Sequence, residues 1–216
     1  MLDSQKTQSA EKQKAAQGRR ERRAAETRLK IFRAAVQLFA KNGHDRVTVE
    51  EITEAADVGK GTFFNYFASK DHVLGVLVEI QMAKVKEALA KAAQEGSSTR
   101  AVLLELAQRV AEEPARSPEM ARTVISSFLT ADEVRTRIYE MMLEGRRTGE
   151  RIAAIGQARG EIDRSLDPCK VAAFFQRMVM GTILFWSLRG SEPLADSLAD
   201  SFELFWRAVA AREQEV

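Results

Sequence analysis

The chain has 216 residues, of which 45% are hydrophobic and 30% charged, with a formal net charge of +2. This is too apolar for a disordered chain, and the overall charge alone names no partner. A single cysteine, Cys169, excludes an intramolecular disulfide, and with only four prolines and scattered β-branched residues the composition favours helix.

Residues 1 to 20 read as a polar, basic tail without a hydrophobic period, mobile or a frayed extension of the first helix. Residues 1–30 hold nine Lys or Arg against four Asp or Glu. Such a segment either touches a polyanion or is simply solvated, and composition leaves both open. The first thirty residues contain no apolar stretch of the secretory kind. The most apolar run, Met178 to Leu188, falls short of the roughly 20 residues that span a bilayer, so it reads as a buried helix. The expected location is the cytoplasm, with no membrane partner.

A helical period begins where Leu29, Phe32, Val36 and Phe39 recur at steps of three and four, and Asn42-Gly43 stops it. Thr48-Val49-Glu50-Glu51 has the form of a capping box and predicts a short helix with Ile52, Ala55 and Ala56 inward. Asp57-Val58-Gly59 predicts a tight turn, and Lys60 to Phe67 a second short helix. Ser69 is placed to cap a long helix from Lys70 to about Gln94, with Val73, Leu74, Leu77, Val85 and Leu89 on its buried side. Further helices are expected over Thr99–Glu113, from Ser117-Pro118 onward, and from about Ala131 to Ala158. Two more follow from Asp167-Pro168 to Arg189 and from Glu192-Pro193 to about Glu213. The fold class is all-α, with about nine helices and no convincing strand.

Two short helices joined by a turn and braced by an apolar helix make a helix-turn-helix. In the second short helix, Phe63 and Phe67 can anchor to the core, leaving Lys60, Gly61, Thr62, Asn65 and Tyr66 outward. Lys60 and Tyr66 suit phosphates, Thr62 and Asn65 suit base edges, and Gly61 allows close backbone approach. Gly-Lys-Gly-Thr fails as a nucleotide phosphate loop, because no strand precedes it and the spacing is wrong.

The stretch from Thr48 to Leu74, TVEEITEAADVGKGTFFNYFASKDHVL, resembles the DNA-binding signature of TetR-type regulators. The likeness covers about residues 26 to 78 and extends more weakly through GEIDRSLDP. It implies that Thr48 holds a phosphate, that Lys60, Thr62 and Asn65 face DNA, and that Tyr66 and Lys70 bind backbone. Gly59 stands where the family commonly has Ser, which removes one hydroxyl at a cost of a few tenths of a kcal/mol. Phe64 stands where Tyr is frequent and Asn65 where His is frequent, so base preference does not carry over. The resulting division is a basic tail, 1–20, a helix-turn-helix domain, 21–69, and a larger helical ligand-binding and dimerisation domain, 70–213.

Nothing in the larger domain reads as catalytic. His44 and His72 have no metal-ligand partner at useful spacing, and no histidine lies in the last two-thirds of the chain; no metal and no cofactor is expected. Dense Met and aromatic residues there are mostly core, but some suit an adaptable apolar pocket. The resemblance implies a pocket, expected among Val124, Phe128, Tyr139, Met142, Arg146, Phe174 and Met178. The last two helices carry long apolar faces. Phe175, Gly181, Leu184, Leu198, Phe202 and Phe205 either cover the chain's own core or pair with a second copy, and the resemblance favours a homodimer. The reading is a DNA-binding regulator, most simply a repressor on a palindromic operator, released by an apolar or amphipathic small molecule. Control by a protein partner is the alternative.

Overall fold

The computed structural model describes the backbone of residues 2–116, 118–130, 132–189 and 192–211, and most side chains from Gly18 onward. Nine α-helices are present among the described residues: α1 Leu2–Asn42, α2 Val49–Ala55, α3 Lys60–Tyr66, α4 Gly75–Ala92, α5 Thr99–Ala111, α6 Pro118–Thr130, α7 Asp132–Ala158, α8 Pro168–Arg189 and α9 Leu194–Val209. The only extended pairing among them is an isolated antiparallel bridge between Ile162 and Ala210. The chain divides into two compact units, Met1–Val76 and Leu77–Val216. The division falls in the first turn of α4.

In the first unit, Ile31, Phe32, Val36 and Phe39 of α1 are buried with Ile52, Ala56, Phe63 and Phe67. The spacing in α1 makes one continuous apolar face, and burying it fixes the helix where propensity alone would not. Gly43, at φ 83, supplies the left-handed residue that ends α1. Two expectations shift. Ala55 is exposed and Thr53 is buried in its place, its hydroxyl donating to the Glu50 carbonyl at 2.9 Å. The helix expected from Lys70 begins instead as a 3-10 turn, Asp71–Leu74, and α4 follows from Gly75.

The second unit is built on two apolar clusters. One joins Ala88 and Ala92 of α4, Val102 and Leu106 of α5, Ile152 of α7, and Phe202 and Phe205 of α9. The other joins Ala107 and Ala111 of α5, Val179 and Ile183 of α8, and Leu194 and Leu198 of α9. Phe175 and Met178 pack against both. Glycines let α7 approach its neighbours: a Cβ on Gly149 would lie 3.1 Å from the Ala172 Cβ. α8 is long and apolar enough to cross a membrane by composition, but Val171, Val179 and Ile183 are buried against other helices, as in a core helix. α9 is shorter than expected and ends at Val209, whose carbonyl accepts from the Asp163 N–H at 2.9 Å while the Ala211 N–H donates to Glu161.

Candidate nucleic-acid interface

The geometry of α2, the turn and α3 follows from local bonds. The Thr48 N–H and hydroxyl bond Glu51 Oε2 at 2.7 and 2.9 Å, and the Glu51 N–H donates back to the Thr48 hydroxyl at 3.2 Å. The box is complete, and the Thr48 N–H holds the Glu51 carboxyl below its ordinary value. After α2, Asp57 takes a left-handed φ of 47, the only such non-glycine among the described residues. Gly59 precedes α3 without a side-chain cap, and its carbonyl receives the Phe63 N–H at 3.1 Å.

α3 is anchored by Phe63 and Phe67, both buried, with ring centroids 5.5 Å apart. Arg28 of α1 sits over the Phe67 ring at 5.7 Å, a cation–π contact. Lys60, Gly61, Phe64 and Asn65 are exposed, and Thr62 and Tyr66 half-buried. The outward set expected from the sequence therefore lies on one short helix. Phe64 is 50% exposed and edge-on to Phe63, which suits close packing on a sugar–phosphate edge rather than a hydrogen bond.

Two residues expected at phosphates are engaged within the chain itself. The Lys70 ammonium donates to the carbonyls of His44 and Val47 at 2.8 and 3.0 Å, which pins the loop before α2 instead of facing outward. The Thr48 hydroxyl is engaged with Glu51 on both sides. One participant was missed: Glu50 pairs with Lys60 across the two short helices. The Lys60 hydrogen bond is the main reason the Glu50 carboxyl sits below its ordinary value. No simple sequence rule links positions ten apart across a turn.

In the second unit the expected pocket residues do not all converge. Arg146 Nη2 and Gln176 Oε1 are 3.4 Å apart, and Gln176 Nε2 donates to the Met142 carbonyl at 2.9 Å, so Met142, Arg146 and Gln176 meet between α7 and α8. Val124 and Met178 are half-buried. Tyr139 is 62% exposed and Phe174 is exposed with its ring against Phe205, so neither lines an enclosed space; the Phe128 side chain lies outside the described residues. Among the expected dimer residues, Leu198, Phe202 and Phe205 are buried within the single chain and belong to its own core. A side chain already sealed from solvent has no surface left to offer a partner. Phe175 packs on the same core. Gly181 and Leu184 remain accessible, and the apolar side chains exposed on these two helices include Phe185, Leu188 and Leu204.

Residues 31–77 match the family model described as bacterial regulatory proteins, tetR family. The regulator TcmR of Streptomyces glaucescens is 45% identical over 56 residues, which cover 26% of this chain and 25% of TcmR. The repressor DhaR of a Mycobacterium species is 25% identical over 80% of this chain and 89% of its own length. Among solved structures, the FadR repressor of Thermus thermophilus with lauroyl-CoA superposes with a TM-score of 0.56 at 27% identity, covering 88% of this chain and 98% of that one.

Proposed function

We propose that this chain, whose residues 31–77 match the tetR-family model, is a dimeric repressor which binds an inverted repeat through these residues and releases it when an amphipathic small molecule enters the second unit. The observation that carries the DNA reading is the face of α3. It is anchored behind by Phe63 and Phe67, and in front it offers polar Lys60, Thr62 and Asn65 around Gly61, which adds no bulk. One seven-residue helix reads only a few base pairs, so a usable site needs two copies related by a two-fold axis.

The face that supports pairing is the outer stripe of α8 and α9. Gly181, Leu184, Phe185 and Leu188 recur at steps of three and four, and Leu204 is exposed on α9. Large apolar side chains clustered on a surface mark an interaction site.

The ligand reading rests on the α7–α8 contact. Met142 and Met178 supply adaptable apolar wall. Arg146 Nε is buried with no hydrogen-bond partner among the described residues, which suits a ligand carbonyl or anionic group. The similarity to a lauroyl-CoA-bound repressor supports an acyl thioester as the first effector to try. A ligand shifts DNA binding only through different affinities for two arrangements, and a coupling of about 1–3 kcal/mol corresponds to roughly 5–150-fold. The test is selection of bound sequences from random DNA, followed by titration of the selected site with and without lauroyl-CoA and of lauroyl-CoA with and without the site. Reciprocal weakening is expected. Tight ligand binding that leaves DNA affinity unchanged would remove the effector from the mechanism.

A further inference from the structure

The helix-turn-helix is poorly supplied with free positive charge. Residues 31–76 contain five Lys or Arg, namely Arg33, Lys41, Arg46, Lys60 and Lys70, against six Asp or Glu. Lys60, on the recognition helix, is paired with Glu50. Lys70 is turned onto two backbone carbonyls. Glu50 and Glu51 in the first turn of α2 carry negative charge at neutral pH, as carboxylates ordinarily do. A surface of net negative charge attracts a polyanion weakly, since nonspecific DNA affinity arises from cations that displace counterions from phosphates.

Basic charge is concentrated instead on α1, just before Ile31. Residues 18–30 hold six Lys or Arg against two acids. Arg19, Arg20, Arg22 and Arg23 are all exposed. Arg22 pairs with Glu26 on the next turn at 3.0 Å, whereas Arg19, Arg20 and Arg23 have no ion-pair partner among the described residues. These residues continue the helix whose buried face, from Ile31 to Phe39, builds the domain core. At 1.5 Å per residue, the step from Ile31 back to Arg19 is about 18 Å along the axis. That equals about five base pairs of duplex at 3.4 Å each.

From this charge distribution we infer that the N-terminal extension of α1, through Arg19, Arg20, Arg22 and Arg23, is the principal phosphate-binding element of the protein, while α3 supplies base preference with little electrostatic affinity of its own. The partner is double-stranded DNA flanking the site that α3 reads. The inference rests on the DNA-binding reading above and adds where the affinity resides.

The experiment compares the full-length wild type with a variant carrying Arg19→Gln, Arg20→Gln, Arg22→Gln and Arg23→Gln, and with one carrying Lys at all four positions. Binding to the selected DNA site and to unrelated duplex is measured from 50 to 300 mM salt, with thermal melting as the control for folding. Each lost phosphate contact lowers the log–log salt slope by about 0.9. The Gln variant is expected to lose about three units of slope and at least about tenfold in affinity at low salt for both DNAs, while keeping the ratio between them. The Lys variant is expected to restore the slope. A folded Gln variant with the wild-type slope overturns the inference while leaving the DNA-binding reading intact. A wild type that binds no selected sequence overturns the reading itself.

Discussion

Glu161, in the loop that follows α7, caps α5: its two carboxylate oxygens lie 2.9 and 2.8 Å from the backbone nitrogen of Thr99, and Oε1 also accepts the Thr99 hydroxyl at 2.7 Å. The Ser98 hydroxyl adds a bond to Oε2 at 3.0 Å. At the opposite end of α5, the Lys84 ammonium reaches the Arg109 carbonyl and Gln81 Nε2 donates to the Val110 carbonyl at 3.1 Å. An anion thus sits at the N-terminus and a cation at the C-terminus, each opposing the partial charge of that helix end. One cap comes from the α7–α8 loop and the other from α4, which fixes α5 in the second unit.

This arrangement predicts a pH-dependent stability. Partial burial raises the Glu161 carboxyl, but the bonds from Thr99, Ser98 and the Arg100 backbone outweigh it and hold the group below its ordinary value. A depressed folded pKa stabilises the fold fully above the unfolded value of about 4.3, and that contribution is lost as pH falls through the folded value. Glu161→Gln is expected to cost about 1.5–3 kcal/mol at pH 7, the range for bonds to a charged group. The gap to wild type should narrow between pH 5 and pH 3 in thermal melts. A gap that is constant over this range would show that the charge of Glu161 is not what matters.

Gly156 lies beneath the same contact. A Cβ there would come within 2.8 Å of Ile162 Cδ1 and 2.9 Å of Thr99 Cγ2. Both neighbours are fully buried, so they have little room to give way. Gly156→Ala is expected to destabilise by about 1–3 kcal/mol through overpacking, read as a lower midpoint in urea at unchanged slope.

Asp57 carries a different constraint. Its φ of 47 is tolerated by Asp, Asn and Gly but strains a β-branched side chain. Its pair with Lys30, at 3.5 Å and largely exposed, adds little. Asp57→Val should therefore cost about 1–2 kcal/mol and Asp57→Asn less than about 0.5 kcal/mol. Equal melting temperatures for the two variants would show that the turn relaxes to another conformation.

On α3, Gly61 separates folding from recognition. A Cβ at this position meets nothing within 4 Å, so glycine is not required by packing. Gly61→Leu should melt like wild type yet bind its site at least about tenfold more weakly, because bulk on this face holds the backbone off the groove. Thr62→Ala and Asn65→Ala should relax preference at individual bases by about 1–3 kcal/mol each. Wild-type affinity for Gly61→Leu would mean that this face of α3 does not enter the groove.

The local devices were legible in the sequence because each is a short-range pattern. The Thr48–Glu51 box, the Phe63 and Phe67 anchors and the proline that opens α8 all lie within one or two turns of their partners. What was not legible depended on distant or competing partners. Apolar spacing placed Phe202 and Phe205 on one face of α9, but spacing does not say whether a face meets its own chain or another. Nothing local to Lys70 shows that its ammonium donates hydrogen bonds to the His44 and Val47 carbonyls. The Glu50–Lys60 pair exists only once the turn has folded the two helices together.

Pairing of two copies can now be tested without disturbing the core. Phe202 is fully buried, so Phe202→Arg would place an unpaired charge in the monomer interior and is expected to unfold the chain, whatever its oligomeric state. Leu204 and Phe185 are 68% and 73% exposed in the single chain, so an arginine at either position costs the isolated fold little. In a dimer formed on the outer stripe of α8 and α9, the same arginines would be buried against their symmetry mates, two like charges in each interface. Leu204→Arg and Phe185→Arg are therefore expected to sediment as folded monomers at micromolar concentration where the wild type sediments as a dimer. They should also lose the steep affinity for an inverted repeat while retaining weak binding to a half-site, because α3 is untouched. Variants that remain dimeric with wild-type operator affinity would move the pairing surface elsewhere on the second unit.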